Sequence, residues 1–145
     1  MGIAYLQHYL AAGNEHSIHS PFIYEFYTTC VKSSRSNFGH PEIESLRRKL
    51  KNDYTTLSFT DPGNGDQVIR TISKITNTSA KSPRLCRLLA AMISHFKPYS
   101  ALEMGTSFGL SSLYQWKELH RDAKFWTFEG NSAVIPFTQK HFNEF

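Results

Sequence analysis

Two carboxylates and two glycines are the residues of this chain best spaced for chemistry. Leu102-Glu103-Met104-Gly105-Thr106-Ser107-Phe108-Gly109-Leu110 has the form of an apolar strand that ends on an acid and turns on glycines into a helix. Lys124-Phe125-Trp126-Thr127-Phe128-Glu129 has the form of a second strand ending on an acid. Gly105 and Gly109 lack a Cβ, so the turn can adopt backbone angles closed to other residues and a ligand can approach its main chain. Glu129 follows Gly105 by 24 residues, the distance at which the second strand of a strand-helix-strand unit offers a carboxylate to the two hydroxyls of a ribose. The chemistry predicted is binding of an adenosine-bearing ligand.

The charge of the loop narrows that class. A pyrophosphate cofactor needs several amides aimed at two phosphates, as in G-x-G-x-x-G. Here the loop has one glycine fewer, and Glu103 stands two positions before the first. A negative charge there disfavours a phosphate and suits a cation or an ammonium group. The pattern favours S-adenosylmethionine over NAD.

At these residues the chain resembles the class I S-adenosylmethionine-dependent methyltransferases. Leu-Glu-Met-Gly-Thr-Ser-Phe-Gly-Leu-Ser-Ser is similar to their first signature in its O-methyltransferase form, and Phe-Glu-Gly-Asn to their second. The resemblance is strongest to a bacterial group with a His-Ser-Pro-Phe segment ahead of the core, here His19-Ser20-Pro21-Phe22, and it spans roughly the whole chain. It implies an α/β fold: the first βαβα portion of a Rossmann-like methyltransferase core, preceded by a helical segment. It also implies that Glu103 orients the loop and the methionyl end of the cofactor. Gly105, Thr106, Ser107, Phe108 and Gly109 would line that end mainly through backbone, Glu129 would hold the ribose, and Gly130 and Asn131 would lie next to the adenine. No residue is assigned as catalytic base and none as a metal ligand. O-methyl transfer to a small molecule is the implied activity, with an aminopropyl transferase-like enzyme or a non-catalytic interaction module carrying a vestigial site as alternatives.

The resemblance also implies a seven-stranded sheet, of which only two strands are recognisable after residue 82. The expectation is an N-terminal portion of a longer enzyme, inactive alone. Two parallel strands would leave apolar surface open. Self-association is therefore expected, through exchange of the last helix or edge pairing of the second strand.

Composition sets the remaining bounds. The chain has 145 residues, enough for one modest domain, and no apolar run approaches the roughly 20 residues of a membrane span. A cytoplasmic protein without membrane or nucleic-acid partners is expected. Cys30 and Cys86 lie far apart on apolar helix faces and are expected to be buried and reduced. The net charge is +4, and its densest basic run, Arg47, Arg48, Lys49 and Lys51, follows Glu42 and Glu44. Acids first and bases last complement a helix dipole, so a solvated helix end is expected. Ser in nucleophile-elbow context is absent, and His16 and His19 have no cluster of acids or cysteines at ligand spacing apart from Glu15.

The positioning elements follow from periodicity and punctuation. Helices are predicted over residues 3–12, from Pro21 with a buried stripe of Phe22, Ile23, Phe26, Tyr27, Cys30 and Val31, and over 41–51. Residues 54–82 are the least regular, with a short strand over 55–59 and a turn-rich Asp61-Pro62-Gly63-Asn64-Gly65-Asp66. The Asp-x-Gly-x-Gly in that turn lacks a second acid before Glu103 and is taken as structural. From Ser82 a helix carries Leu85, Leu88, Leu89, Met92, Ile93 and Phe96 on one face and stops at Pro98. A strand over 99–104, a crossover helix over 110–120, a strand over 124–129 and a last helix capped by Ser132 follow. The units are residues 1–81, helical with a turn-rich connection, and 82–145, the start of the cofactor-binding domain.

Overall fold

The computed structural model describes residues 2–13, 17–61 and 63–145. His16 and Glu15 lie outside them, as does Pro62. In chain order the elements are α1 (Gly2–Ala11), α2 (Pro21–Phe26), a wide helical turn (Tyr27–Lys32) running into a 3₁₀ turn (Ser33–Arg35), α3 (Pro41–Lys51), β1 (Thr56–Thr60), β2 (Gln67–Thr71), α4 (Ile72–Ser79), α5 (Pro83–Phe96), β3 (Ser100–Met104), α6 (Leu110–Glu118), β4 (Lys124–Phe128) and α7 (Ile135–Glu144). The fold mixes helices with two small sheets. β1 and β2 form an antiparallel hairpin, and β3 pairs with β4 in parallel, with α6 as the connection between them.

Local chemistry explains most boundaries. Pro41 sits in the first turn of α3, where a missing N–H costs nothing, and Glu42 and Glu44 in that turn are balanced by Arg48, Lys49 and Lys51 in the last. Ser82 caps α5 by accepting from Leu85 N, and the helix ends on Lys97 in the left-handed region, φ 45°. The hairpin turns where Asp61 N donates to Asp66 O at 2.8 Å and Gly65, φ 79°, donates to Asp61 O. Thr71 then caps α4 by accepting from Lys74 N.

One cluster of buried apolar residues joins Ile43, Leu46 and Leu50 of α3 to Phe59 and Ile72 of the hairpin region and to Cys86, Ala90, Phe108, Leu113, Tyr114 and Val134. It therefore crosses residue 81. Tyr114 is fully buried and donates its hydroxyl to Glu44 Oε1 at 3.0 Å, tying α6 to α3. Burial, reinforced by that carboxylate, pushes the phenol up to about 12.

Four expectations need correction. The stripe that starts on α2 is buried only toward its end: Phe22 is 60% and Ile23 47% exposed, Phe26, Tyr27 and Val31 are half-buried, and Cys30 is fully buried as expected. The rings of Phe22 and Phe26 both face Phe96, with centroids 6.2 and 6.4 Å away, and Phe96 is itself at the surface. On α5 the side turned fully inward carries Cys86, Ala90 and Ala91, with Leu85 and Phe96 exposed. Small side chains let α5 lie close to its neighbours, and that proximity outweighs the larger aliphatic stripe. Arg47 is no solvated residue. It is 4% exposed and holds Glu44 Oε2 at 2.9 Å, Lys81 O at 2.7 Å and Cys86 Sγ at 3.4 Å. Ser132 does not cap the last helix, which starts at Ile135 with Pro136 in its first turn and no side-chain cap.

Candidate functional site

β3 ends at Met104, and the next five residues need an unusual backbone to enter α6. Gly105 (φ 88°), Ser107 (φ 48°) and Gly109 (φ 84°) all lie in the left-handed region, which costs a non-glycine residue about 1–2 kcal/mol. Alternation of positive and negative φ along the loop turns successive amides and carbonyls in different directions. The protein then fixes each of them from a different element.

β4 fixes the start of the loop. The N–H groups of Gly105 and Thr106 both donate to Phe128 O, at 2.8 and 3.1 Å. Glu129, the residue after β4, accepts from Ser107 N through Oε2 at 2.5 Å and from Asn131 N through Oε1 at 2.7 Å. α7 fixes the far side: Thr138 Oγ1 donates to Ser107 O at 2.5 Å, and His141 Nδ1 lies 2.9 Å from Phe108 O. Both side chains are buried. From α4, Ser79 Oγ reaches Ser107 Oγ at 3.3 Å.

Glu103 acts one layer beneath. Its carboxylate accepts from Ser111 Oγ at 2.8 Å, from Ser112 Oγ, from Gln115 Nε2 at 3.1 Å and from Thr127 Oγ1 at 3.2 Å. Thr106 Oγ1 is hydrogen-bonded to Thr127 Oγ1, extending the chain to the loop itself. Three of the donors lie on α6, so this acid locks the helix that follows the loop onto the strand that precedes it. A negative charge beside the first turn of α6 also faces the positive end of that helix dipole.

The structure brings Gly105, Thr106, Ser107, Phe108 and Gly109 together with Glu129, Gly130 and Asn131 at the C-terminal edge of the parallel pair. Phe108 is present through backbone only; its ring is buried edge-on against Phe137, centroids 5.9 Å apart. Gly105 lies open, and a Cβ built there would meet nothing within 4 Å. A Cβ at Gly109 would stand 3.3 Å from Thr138 Cγ2 and 3.5 Å from Phe142 Cε2. Both alanine variants pay the left-handed penalty, but Gly109→Ala must also shift α7. It should therefore cost roughly 1 kcal/mol more than Gly105→Ala in urea denaturation; equal costs would disprove the clasp.

A cavity of about 480 Å³ borders Met104, Gly105, Ser107, Glu129 and Asn131, within the size range of small-ligand sites. Its opposite wall comes from the hairpin and the α4–α5 connection: Asp61, Arg70 and Lys81. Arg70 pairs with Asp61 at 3.5 Å, whereas Lys81 is exposed and meets no carboxylate among the described residues. A second cavity of about 300 Å³ runs along β3 and includes Glu103, Leu102, Met104 and Gln115. Sequence reasoning missed Arg70, Lys81, Thr138 and His141, because all four approach the loop from elements distant in the chain. His19 is exposed. Among the described residues no group of His, Cys, Asp or Glu is placed to hold a metal ion, and no helix is long and apolar enough to cross a membrane.

No protein-family model, curated protein or solved structure matches this chain.

Proposed function

We propose that the loop and Glu129 form the cofactor site of an S-adenosylmethionine-dependent methyltransferase, within a Rossmann-like βαβ unit. One observation carries the reading: β3 and β4 pair in parallel with Met104 beside Phe128. That register sets the glycine loop and the following carboxylate side by side on one cavity, the arrangement that presents an amide-lined turn and an acid to an adenosine.

The residues fit such a ligand. Each Glu129 oxygen accepts one backbone N–H, and a carboxylate oxygen has two lone pairs, so a ribose diol can be accepted without releasing the loop. The open side of Gly105 admits close approach of a ligand to the main chain. Bound S-adenosylmethionine would supply an electrophilic sulfonium methyl, which an oxygen or nitrogen of a small acceptor would attack in line, with the thioether S-adenosylhomocysteine as leaving group. The chain's own contribution is positioning: Glu103 and α7 hold the loop rigid, Glu129 orients the ribose, and Asn131 borders the adenine side. Rigid placement accounts for much of the rate in such a displacement.

Titration calorimetry with S-adenosylhomocysteine tests this. Binding in the micromolar range, about −8 kcal/mol, is expected, and Glu129→Ala should weaken it by at least tenfold, about 1.4 kcal/mol. A folded protein that binds neither S-adenosylhomocysteine nor NAD would instead support a structural module, in which both carboxylates serve only to brace the loop. Preferential NAD binding would make the site that of a dehydrogenase.

A further inference from the structure

The β3–β4 sheet is covered on one side only. Ala101, Glu103, Phe125 and Thr127 alternate inward, and Glu103 and Thr127 meet α6 and each other there. The other face presents Leu102 (61% exposed), Met104 (76%), Trp126 (46%) and Phe128 (52%). The parallel register sets Leu102 beside Trp126 and Met104 beside Phe128. Beyond the Ser100–Lys124 pair at the start of the strands, the result is an aliphatic row on β3 and an aromatic row on β4, without a charge among the four. Parallel sheets are ordinarily buried on both faces.

We infer that this face is a homodimer interface, in which the sheets of two copies stack face to face. Symmetry selects a second copy as the occupant. A two-fold axis lying between the sheets and running along the strands carries β3 of one copy over β4 of the other. The aliphatic row of each copy then rests on the aromatic row of its mate, large on small, with the Met104 thioether against an aromatic ring. The axis at right angles to the strands would instead set like rows on like. Stacked sheets pack about 10 Å apart with nearly aligned strands, which suits two such short ribbons.

Area agrees with this assignment. Four such side chains at these exposures present roughly 500 Å² per copy. A stacked pair buries about 1,000 Å², the lower bound for a specific interface, so the dimer should be weak and concentration-dependent. The interface also touches the site. Met104 belongs to this face and to two of the cavities beside the glycine loop, so the second copy completes the outer wall of the cavity that Glu129 borders. This interface does not depend on which ligand the loop takes.

Sedimentation equilibrium over a concentration series up to about 100 μM, where a weak interface of this size is populated, tests the inference. The wild-type mass is expected to rise from 16.6 kDa toward twice that value. In a Trp116→Phe background, where Trp126 is the only indole, emission should move to shorter wavelength over the same range. Leu102→Glu and Trp126→Glu should each keep the monomer mass at every concentration with an unchanged circular dichroism spectrum. If either glutamate misfolds, Trp126→Gln gives the same reading with a milder change. Leu6→Glu, on exposed α1, should leave association intact. A wild-type protein that stays monomeric, association that persists in the folded sheet variants, or association abolished by Leu6→Glu would each overturn the inference.

Discussion

Replacing Glu103 with alanine should cost about 3 kcal/mol or more in urea denaturation, the largest loss expected from any single side chain near the loop. Hydrogen bonds to a charged group contribute about 1.5–3 kcal/mol each, and a partly buried donor left without an acceptor adds its own desolvation cost. Glu103 accepts four such bonds, and Ser112 and Gln115 are buried among the donors. Against a total stability of about 10 kcal/mol, that loss is large. Glu103→Gln should recover part of it, since hydroxyl donors can rotate to accept from an amide, whereas Gln115 could accept only by a flip that sets its Oε1 against Ser111 O. A Glu103→Ala cost below about 1 kcal/mol would show that the cage is not what fixes α6 to β3.

The second large effect is expected at Arg47. Arg47→Met keeps much of the volume but removes the partner of Glu44 and the donor to Lys81 O. Loss of one member of a buried ion pair typically costs about 3–5 kcal/mol. Glu44 retains some solvent and the Tyr114 hydroxyl, so about 2–4 kcal/mol is expected here. Arg48→Ala, one residue along and exposed, should change stability by no more than about 0.5 kcal/mol. Equal effects at the two positions would contradict the burial of Arg47. Because Arg47 holds the carbonyl of Lys81, its loss should also displace the lysine that lines the cavity beside the glycine loop.

These two residues show what the sequence makes visible and what it hides. Proline at the start of α3 and α5, the Ser82 cap, and the apolar runs ending at Met104 and Phe128 are local signals, and the elements they predict are present within a residue or two. The glycine loop was equally legible, since Gly105 and Gly109 occupy positions whose φ values demand them. Arg47 was not, because it sits in a basic run and only the fold reveals that one of four cations turns inward. The first strand of the hairpin was legible, Leu57 and Phe59 alternating with Thr56, Ser58 and Thr60, but β2 was hidden because Val68 and Ile69 are adjacent and do not alternate, and α4 by β-branched residues and hydroxyls that bond back to their own helix. The first turn of the α2 stripe, Phe22 and Ile23, failed for the opposite reason. Helical spacing was correct, but periodicity cannot tell whether another element arrives to cover the stripe.

The grip of α7 on the loop has a kinetic meaning. Thr138 and His141 hold the carbonyls of Ser107 and Phe108 at sequence separations of 31 and 33 residues. Contacts so distant in the chain form late, after the entropy of closing the intervening segment has been lost. The loop cannot take its final shape when β3 and α6 first meet; it waits for α7 to dock. The same coupling operates in reverse in the native protein. Transient release of α7 frees two loop carbonyls at once, so the loop and α7 are expected to open as one cooperative unit whose amides share a common opening free energy in hydrogen exchange.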